Sequence, residues 1–211
     1  EPEKGTRGIT AFIVEKGSQG SFTSRPLDKR GLRGSITGEL SFEDYLVPAE
    51  NVLGGENQGI NVMMSGLDTE RAIMSSICVG LAQRAFELSL NYSKERVQFG
   101  QPIGNFQLIQ AKLADMYTML EASRLLTYKA FTLAQKSERG GRGTELHKVV
   151  AAAFLLSAET AMKAASEAIQ IHGGYGCMLD HPVNRLLWDA KIPEIGAGTS
   201  EIRRIIIARE L

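Results

Sequence analysis

The chain has 211 residues, 24 basic and 24 acidic side chains, 43% hydrophobic residues and two cysteines. At roughly 100–200 residues per domain, that is one large domain, or one domain with part of another. Zero formal charge supplies no basic field for nucleic acid or an anionic membrane. Cys78 and Cys177 are too few for a secreted disulfide framework, and the apolar run over 149–158 is too short to span a bilayer.

Residues 1–55 read as strands and turns. Glu1, Pro2, Glu3, Lys4 and Gly5 lead straight into the β-branched and aromatic run over 9–14, with no signal-peptide pattern, so an upstream portion is expected. Leu40, Phe42 and Tyr45 alternate with polar residues, and glycines at 17, 20, 31, 34 and 38 punctuate turns. Two or three strands leave edges open, so this part needs partner strands.

From about Glu56 the periodicity becomes helical. Ile60, Met63, Met64 and Leu67 follow i, i+3, i+4, i+7, as do Met74, Ile77, Cys78 and Leu81. This first helix, apolar on nearly every side, reads as central to a bundle. A second helix is expected over 105–136, with Leu113, Met116, Tyr117 and Leu120 on one stripe. A polar, glycine-rich break over 137–143 follows. A third helix is expected from Thr144 to His172, stopped by Gly173 and Gly174; a fourth follows Pro182; a fifth begins at Thr199 or Ser200. The fold class is therefore mainly α: an antiparallel four-helix-type bundle over 56–211 behind an incomplete β-part over 1–55.

Four places could carry chemistry. Asp68, Thr69, Glu70 and Arg71 interrupt the apolar first helix. Asp68 and Arg71 can pair at i, i+3. Glu70 lacks such a partner and has Gly66, Leu67, Ile73 and Met74 as helical neighbours. It reads either as a general base or as an exposed acid on a solvated face. The small-residue loop through Gly196, Ala197 and Gly198 enters a helix at Thr199, Ser200 and Glu201. It is either an anion or oxyanion site or ordinary N-capping. Gly173, Gly174, Tyr175 and Gly176 admit a ligand to the backbone or simply stop a helix. Arg96 could bind a phosphate and Phe99 could cover a flat ring, or both are plain surface and packing residues. His147, His172 and His181 have no metal-ligand spacing, so no metal is assigned.

Taken in order, these runs resemble the acyl-CoA dehydrogenase family. The similarity is carried by the turn over 27–35, by Phe42-Glu43-Asp44 with Val47-Pro48 and Asn51-Val52-Leu53-Gly54, and by Arg96-Val97-Gln98-Phe99-Gly100. Gln107, the run 169–176, Arg185, Asp189-Ala190-Lys191 and Gly198-Thr199-Ser200-Glu201-Ile202-Arg203 complete it. The resemblance implies the end of a β-barrel middle domain over 1–55 and a C-terminal helical domain over 56–211. It implies FAD as cofactor, acyl-CoA as substrate, electron-transfer flavoprotein as acceptor and a homodimer or homotetramer. An intracellular site is implied, either bacterial cytoplasm or mitochondrial matrix.

The implied reaction is α,β-dehydrogenation of an acyl-CoA thioester. Many relatives place the proton-abstracting glutamate before the Gly198-Thr199 pair, where this chain has Ala197. Relatives of the isovaleryl type place it in the first long helix before an arginine, which here is Glu70. Asp68, Arg71, Ala197 and Gly198 would border the substrate. Arg96, Gln98, Phe99, Gln107, Gln170, Ile171, His172, Gly173 and Gly174 would contact the FAD of a neighbouring subunit. Thr199, Ser200 and Glu201 would contact the subunit's own. The isovaleryl-type loop points to a short branched acyl group, whereas Asn61 stands where those relatives carry a tyrosine. Another short or medium acyl-CoA, or a non-catalytic oligomerising fragment, are the competing readings.

Overall fold

The computed structural model describes residues 1–16, 21–136 and 141–211, with the side chains of Ser21 and Phe22 set aside. Gly17, Gly20 and the first four residues of the glycine-rich break lie outside the described residues. The chain divides into two compact units, Glu1–Leu67 and Asp68–Leu211.

The first unit holds short antiparallel pairs. β1 (Ala11–Phe12) pairs with β4 (Val52–Leu53), placing Ala11 opposite Leu53. β2 (Ser21–Leu27) pairs with β3 (Thr37–Glu43), placing Leu27 opposite Thr37. The alternation expected to reach Tyr45 stops earlier, because Asp44 takes a left-handed φ of 47° and turns the chain out of the ladder. Ile9, Phe12 and Leu40 stay about half exposed on these two-stranded pairs. Gly59 opens helix α1 (Gly59–Glu95) against the first strand segment. A Cβ there would stand 2.9 Å from the Ile9 carbonyl oxygen, so only glycine fits.

The second unit is helical. After α1 come a hairpin of β5 (Val97–Gln98) and β6 (Gln101–Pro102), then α2 (Gln107–Lys136), α3 (Glu145–His172), α4 (Pro182–Ile195) and α5 (Ser200–Arg209). The stripe that α1 buries contains Cys78 of the expected one, with Met74 and Leu81 packed against it, and is otherwise made mostly of small residues. Ala72, Ser75, Cys78, Val79, Ala82, Ala85 and Ser89 are buried, while Ile73 and Ile77 are exposed. Small side chains let neighbouring helices approach closely. The serine hydroxyls satisfy themselves on the preceding turn, Ser75 on the Ala72 carbonyl at 2.6 Å and Ser89 on that of Ala85 at 2.8 Å.

The central helix is α3, which packs on α2, α4 and α5. The helical stretch Glu145–Cys177 is long and apolar enough to cross a membrane by length and composition. Most of it is buried in the bundle, which explains its apolarity. Phe154, Ala158, Ala161 and Ala165 of α3 meet Met116 and Leu120 of α2 and Val183 and Leu186 of α4. Helix ends follow the sequence signals. Thr144 and Thr199 cap α3 and α5 by accepting from His147 N–H and Ile202 N–H, each cap worth about 1 kcal/mol. Pro182 takes the first turn of α4, where its missing N–H costs nothing. Gly173, at φ 58°, ends α3.

Candidate active site

α1 aims Asp68 and Arg71 inward and Glu70 outward, because successive helical residues turn by about 100°. Asp68 is 3% exposed and Arg71 4%. The Asp68 carboxylate meets Arg71 Nη1 at 3.5 Å and His147 Nδ1 at 2.8 Å, and it accepts the Gly141 N–H at 2.8 Å. Buried carboxylates need such partners, and this one has three. The i, i+3 pairing of Asp68 with Arg71 is therefore present. His147, read in the sequence only as lacking metal spacing, is the side chain that ties it to α3. Among the described residues no group of His, Cys, Asp and Glu makes a metal cluster.

Arg71 then reaches the small-residue loop, its Nε donating to the Ala197 carbonyl at 3.3 Å. Ala197 (φ 51°) and Gly198 (φ 95°) are both left-handed, a conformation natural to glycine and costly for alanine. From the other side Arg203 enters, fully buried. One of its terminal nitrogens donates to the Pro193 carbonyl at 2.5 Å and to that of Gly196 at 2.7 Å. Its guanidinium carbon lies 3.5 Å from the centroid of the Phe154 ring. Burial pulls its pKa down to about 10, and the Arg71 charge acts in the same direction. Burial likewise pushes the nearby Cys78 thiol up to about 12, so Cys78 is inert core.

Glu70 is exposed on α1, beside the half-exposed Ile73. Ala197 supplies no carboxylate to the loop. Thr199 and Ser200 open α5. Glu201 follows on the surface, its carboxyl held below the usual range first by the Thr199 hydroxyl and then by its own N–H. The Ser200 hydroxyl is buried without a partner among the described residues.

A second group forms around an open cleft of about 520 Å³. Arg96, Gln98, Ile171, His172, Gly173, Gly174 and Tyr175 line it, together with Tyr92, Ile103 and Met178, which sequence reasoning did not select. Between α1 and α2 the chain makes a tight β5–β6 hairpin, with Phe99 (φ 51°) and Gly100 (φ 81°) at its tip. Phe99 is 92% exposed and meets Phe106 edge-on, outside the cleft lining. Gln107 and Gln170 are exposed and also outside it. The His172 ring stacks on Tyr92, with centroids 4.3 Å apart, and its Nδ1 donates to the Ala168 carbonyl at 2.7 Å. Burial lowers its pKa despite that hydrogen bond.

The helical bundle thus carries a carboxylate-bearing helix beside a pinned small-residue loop, and a separate cleft lined by Gly173 and Gly174. The acyl-CoA dehydrogenase C-terminal domain profile matches residues 57–211, and the chain belongs to that family. Over 207 residues it is 51% identical to a mitochondrial isovaleryl-CoA dehydrogenase of Oryza sativa subsp. japonica, covering 98% of this chain and 49% of that protein. The fold superposes on butyryl-CoA dehydrogenase from Megasphaera elsdenii with a TM-score of 0.91 at 42% identity, covering 99% of this chain and 53% of that one. It also superposes on PigA with FAD and proline, with a TM-score of 0.90 at 29% identity, covering 100% and 53%. The chain thus spans about half the length of these relatives.

Proposed function

We propose that the whole protein is an FAD-dependent dehydrogenase of a short branched acyl-CoA, with Glu70 as the base that removes the α-proton. The observation that carries this reading is the pairing of an exposed Glu70 with an adjacent, inward Arg71 that grips the Ala197 loop. Carboxylate and loop are thereby held by one helix. Loop position 197 offers no rival carboxylate.

An α-proton beside a thioester is weakly acidic, so its removal needs a carboxylate at the carbon and donors at the oxygen. Glu70 supplies the first. Backbone N–H groups of the loop supply the second, and the small residues there let the thioester approach. Asp68 and Arg71, both buried, border that position from beneath.

FAD, when bound, accepts the β-hydride. The residues present suit an anionic dinucleotide. The Arg96 side chain makes no hydrogen bond or ion pair among the described residues, and a Cβ at Gly173 or Gly174 would meet nothing within 4 Å. Arg96 and Gln98 would hold the diphosphate side, and Gln107 and Gln170 to Gly174 the nucleotide side. Thr199, Ser200 and Glu201 would contact the subunit's own cofactor. In this reading residues 1–55 close a barrel middle domain and 56–211 form the helical domain. A homodimer or tetramer completes each FAD site, and an electron-transfer flavoprotein takes the electrons.

The second reading keeps the chemistry and changes the acyl chain, because a butyryl-CoA dehydrogenase superposes closely. An acyl-CoA panel on the flavin-loaded full-length protein separates the two. Isovaleryl-CoA should bleach the flavin faster than butyryl- or octanoyl-CoA. Preference for a straight chain would shift the substrate, and a colourless protein that takes up no FAD would remove the enzymatic reading.

A further inference from the structure

The two peptide groups flanking Ala197 are each held at the carbonyl by a buried guanidinium. Arg203 holds Gly196 C=O at 2.7 Å, and Arg71 holds Ala197 C=O at 3.3 Å. Among the described residues there is no cis peptide. In a planar trans peptide the N–H points opposite to its C=O. Fixing these carbonyls therefore turns the Ala197 and Gly198 N–H groups away from the interior. Neither N–H donates to any group among the described residues.

The charges fit the same task. Two guanidiniums and one buried carboxylate, Asp68, lie behind the loop. The other nearby carboxylates are already taken: Glu194 pairs with Lys191 at 2.6 Å and Glu159 with Arg204 at 2.6 Å. Arg203 Nε and Nη1 have no hydrogen-bond partner among the described residues, and leaving a buried charge so poorly compensated is expensive. Capping the C-terminal carbonyls of α4 accounts for both Arg203 hydrogen bonds, to Pro193 and Gly196, but not for a fully buried cation.

We propose that Arg71 and Arg203 are positioning residues that aim and polarise the Ala197 and Gly198 N–H groups toward the oxygen of an acyl thioester, with Asp68 and His147 fixing Arg71. The inference rests on the acyl-CoA reading above. As negative charge develops on that oxygen, the preset donors and the excess positive charge behind them stabilise it without rearranging. His147 acts at one remove, its Nδ1–H holding the carboxylate that orients Arg71.

The test uses acetoacetyl-CoA, whose enolate forms by loss of a proton alone and is read by its own absorbance. The flavin-loaded protein should ionise it more readily than water does. Arg203→Lys and Arg71→Lys keep the charge and lose the fork. Each should weaken ionisation about tenfold or more while binding of a non-ionising saturated thioether analogue changes less than about twofold. His147→Leu should behave likewise. His147→Asn, whose amide nitrogen can take the place of Nδ1, should restore most of the effect. If Arg203→Lys fails to fold, the Arg71 and His147 variants decide.

Equal ionisation by native and variant proteins would overturn the proposal and leave the arginines as helix caps. So would a native protein that bleaches with acyl-CoA yet does not ionise the probe, although the dehydrogenase reading would then survive. A native protein that binds neither ligand would remove both.

Discussion

His147 Nδ1 and Asp68 Oδ1 stand 2.8 Å apart although 79 positions separate them in sequence. The contact locks the first turn of α3 to the third turn of α1. The same carboxylate also takes the Gly141 N–H and the Arg71 guanidinium, so its removal leaves several buried donors bare.

Asp68→Ala should therefore cost roughly 3–5 kcal/mol of stability, the usual price of orphaning a buried ion-pair partner. Glu70→Ala, on an exposed position two residues away, should stay within about 0.5 kcal/mol. Denaturant unfolding of both variants checks the contrast. Equal losses would mean that Asp68 is not the anchor.

Acid should weaken the protein through His172. Burial against Tyr92 and the α3 backbone, with His181 acting in the same direction, holds its folded pKa below the ordinary 6.5. Above that value both folded and unfolded rings are neutral and stability is full. As pH falls, the unfolded ring takes up a proton first, and stability declines until the folded pKa is passed. Melting temperature should drop as pH is lowered from about 7 through the ordinary titration range of histidine. His172→Asn, which can still donate to the Ala168 carbonyl, should flatten that slope.

The helices, their caps and the i, i+3 pair of Asp68 with Arg71 were legible in the sequence, because they depend on neighbours a few positions away. Thr144, Thr199, Pro182 and Gly173 each act where local rules put them. What α1 buries was legible in part: Cys78 is buried and Met74 and Leu81 pack against the core as the periodicity expects, whereas Ile77 is exposed. Size alone did not point to Ala72, Ser75, Ala82 and Ala85, which are buried against the bundle because close helix packing selects small side chains. The partnership of Arg203 with the 196–198 loop, and that of His147 with Asp68, depend on tertiary placement. An arginine in the first turn of α5 gave no local hint that it would be fully buried. Gln107 and Gln170 came from family resemblance alone and Phe99 from its aromatic ring as well, and the cleft assembles around their neighbours instead.

Gly198→Ala should strain the loop. At φ 95° any side chain is disfavoured, and a Cβ there would lie 3.6 Å from Arg71 Nη2 and from Ile202 Cγ2. The expected cost is about 1–3 kcal/mol in unfolding free energy, with acyl-CoA turnover falling alongside. Turnover lost without any change in unfolding would point to direct substrate contact rather than backbone strain.

Arg96→Gln should loosen the cofactor. Replacing a charge-assisted contact to a phosphate by a neutral one should raise the Kd for FAD by about tenfold or more, with less sensitivity to added salt. Equilibrium dialysis of FAD against the full-length protein measures both. Unchanged affinity would separate Arg96 from the cofactor site.

The central claim is that Glu70 removes the α-proton, and Glu70→Gln tests it most directly because the amide keeps the shape and cannot take the proton. Anaerobic stopped-flow mixing of the flavin-loaded full-length protein with isovaleryl-CoA reads the bleaching step alone. Its rate should fall by roughly 10²–10⁴ while acyl-CoA affinity changes little. Bleaching within twofold of the native rate would place the base elsewhere and contradict the account.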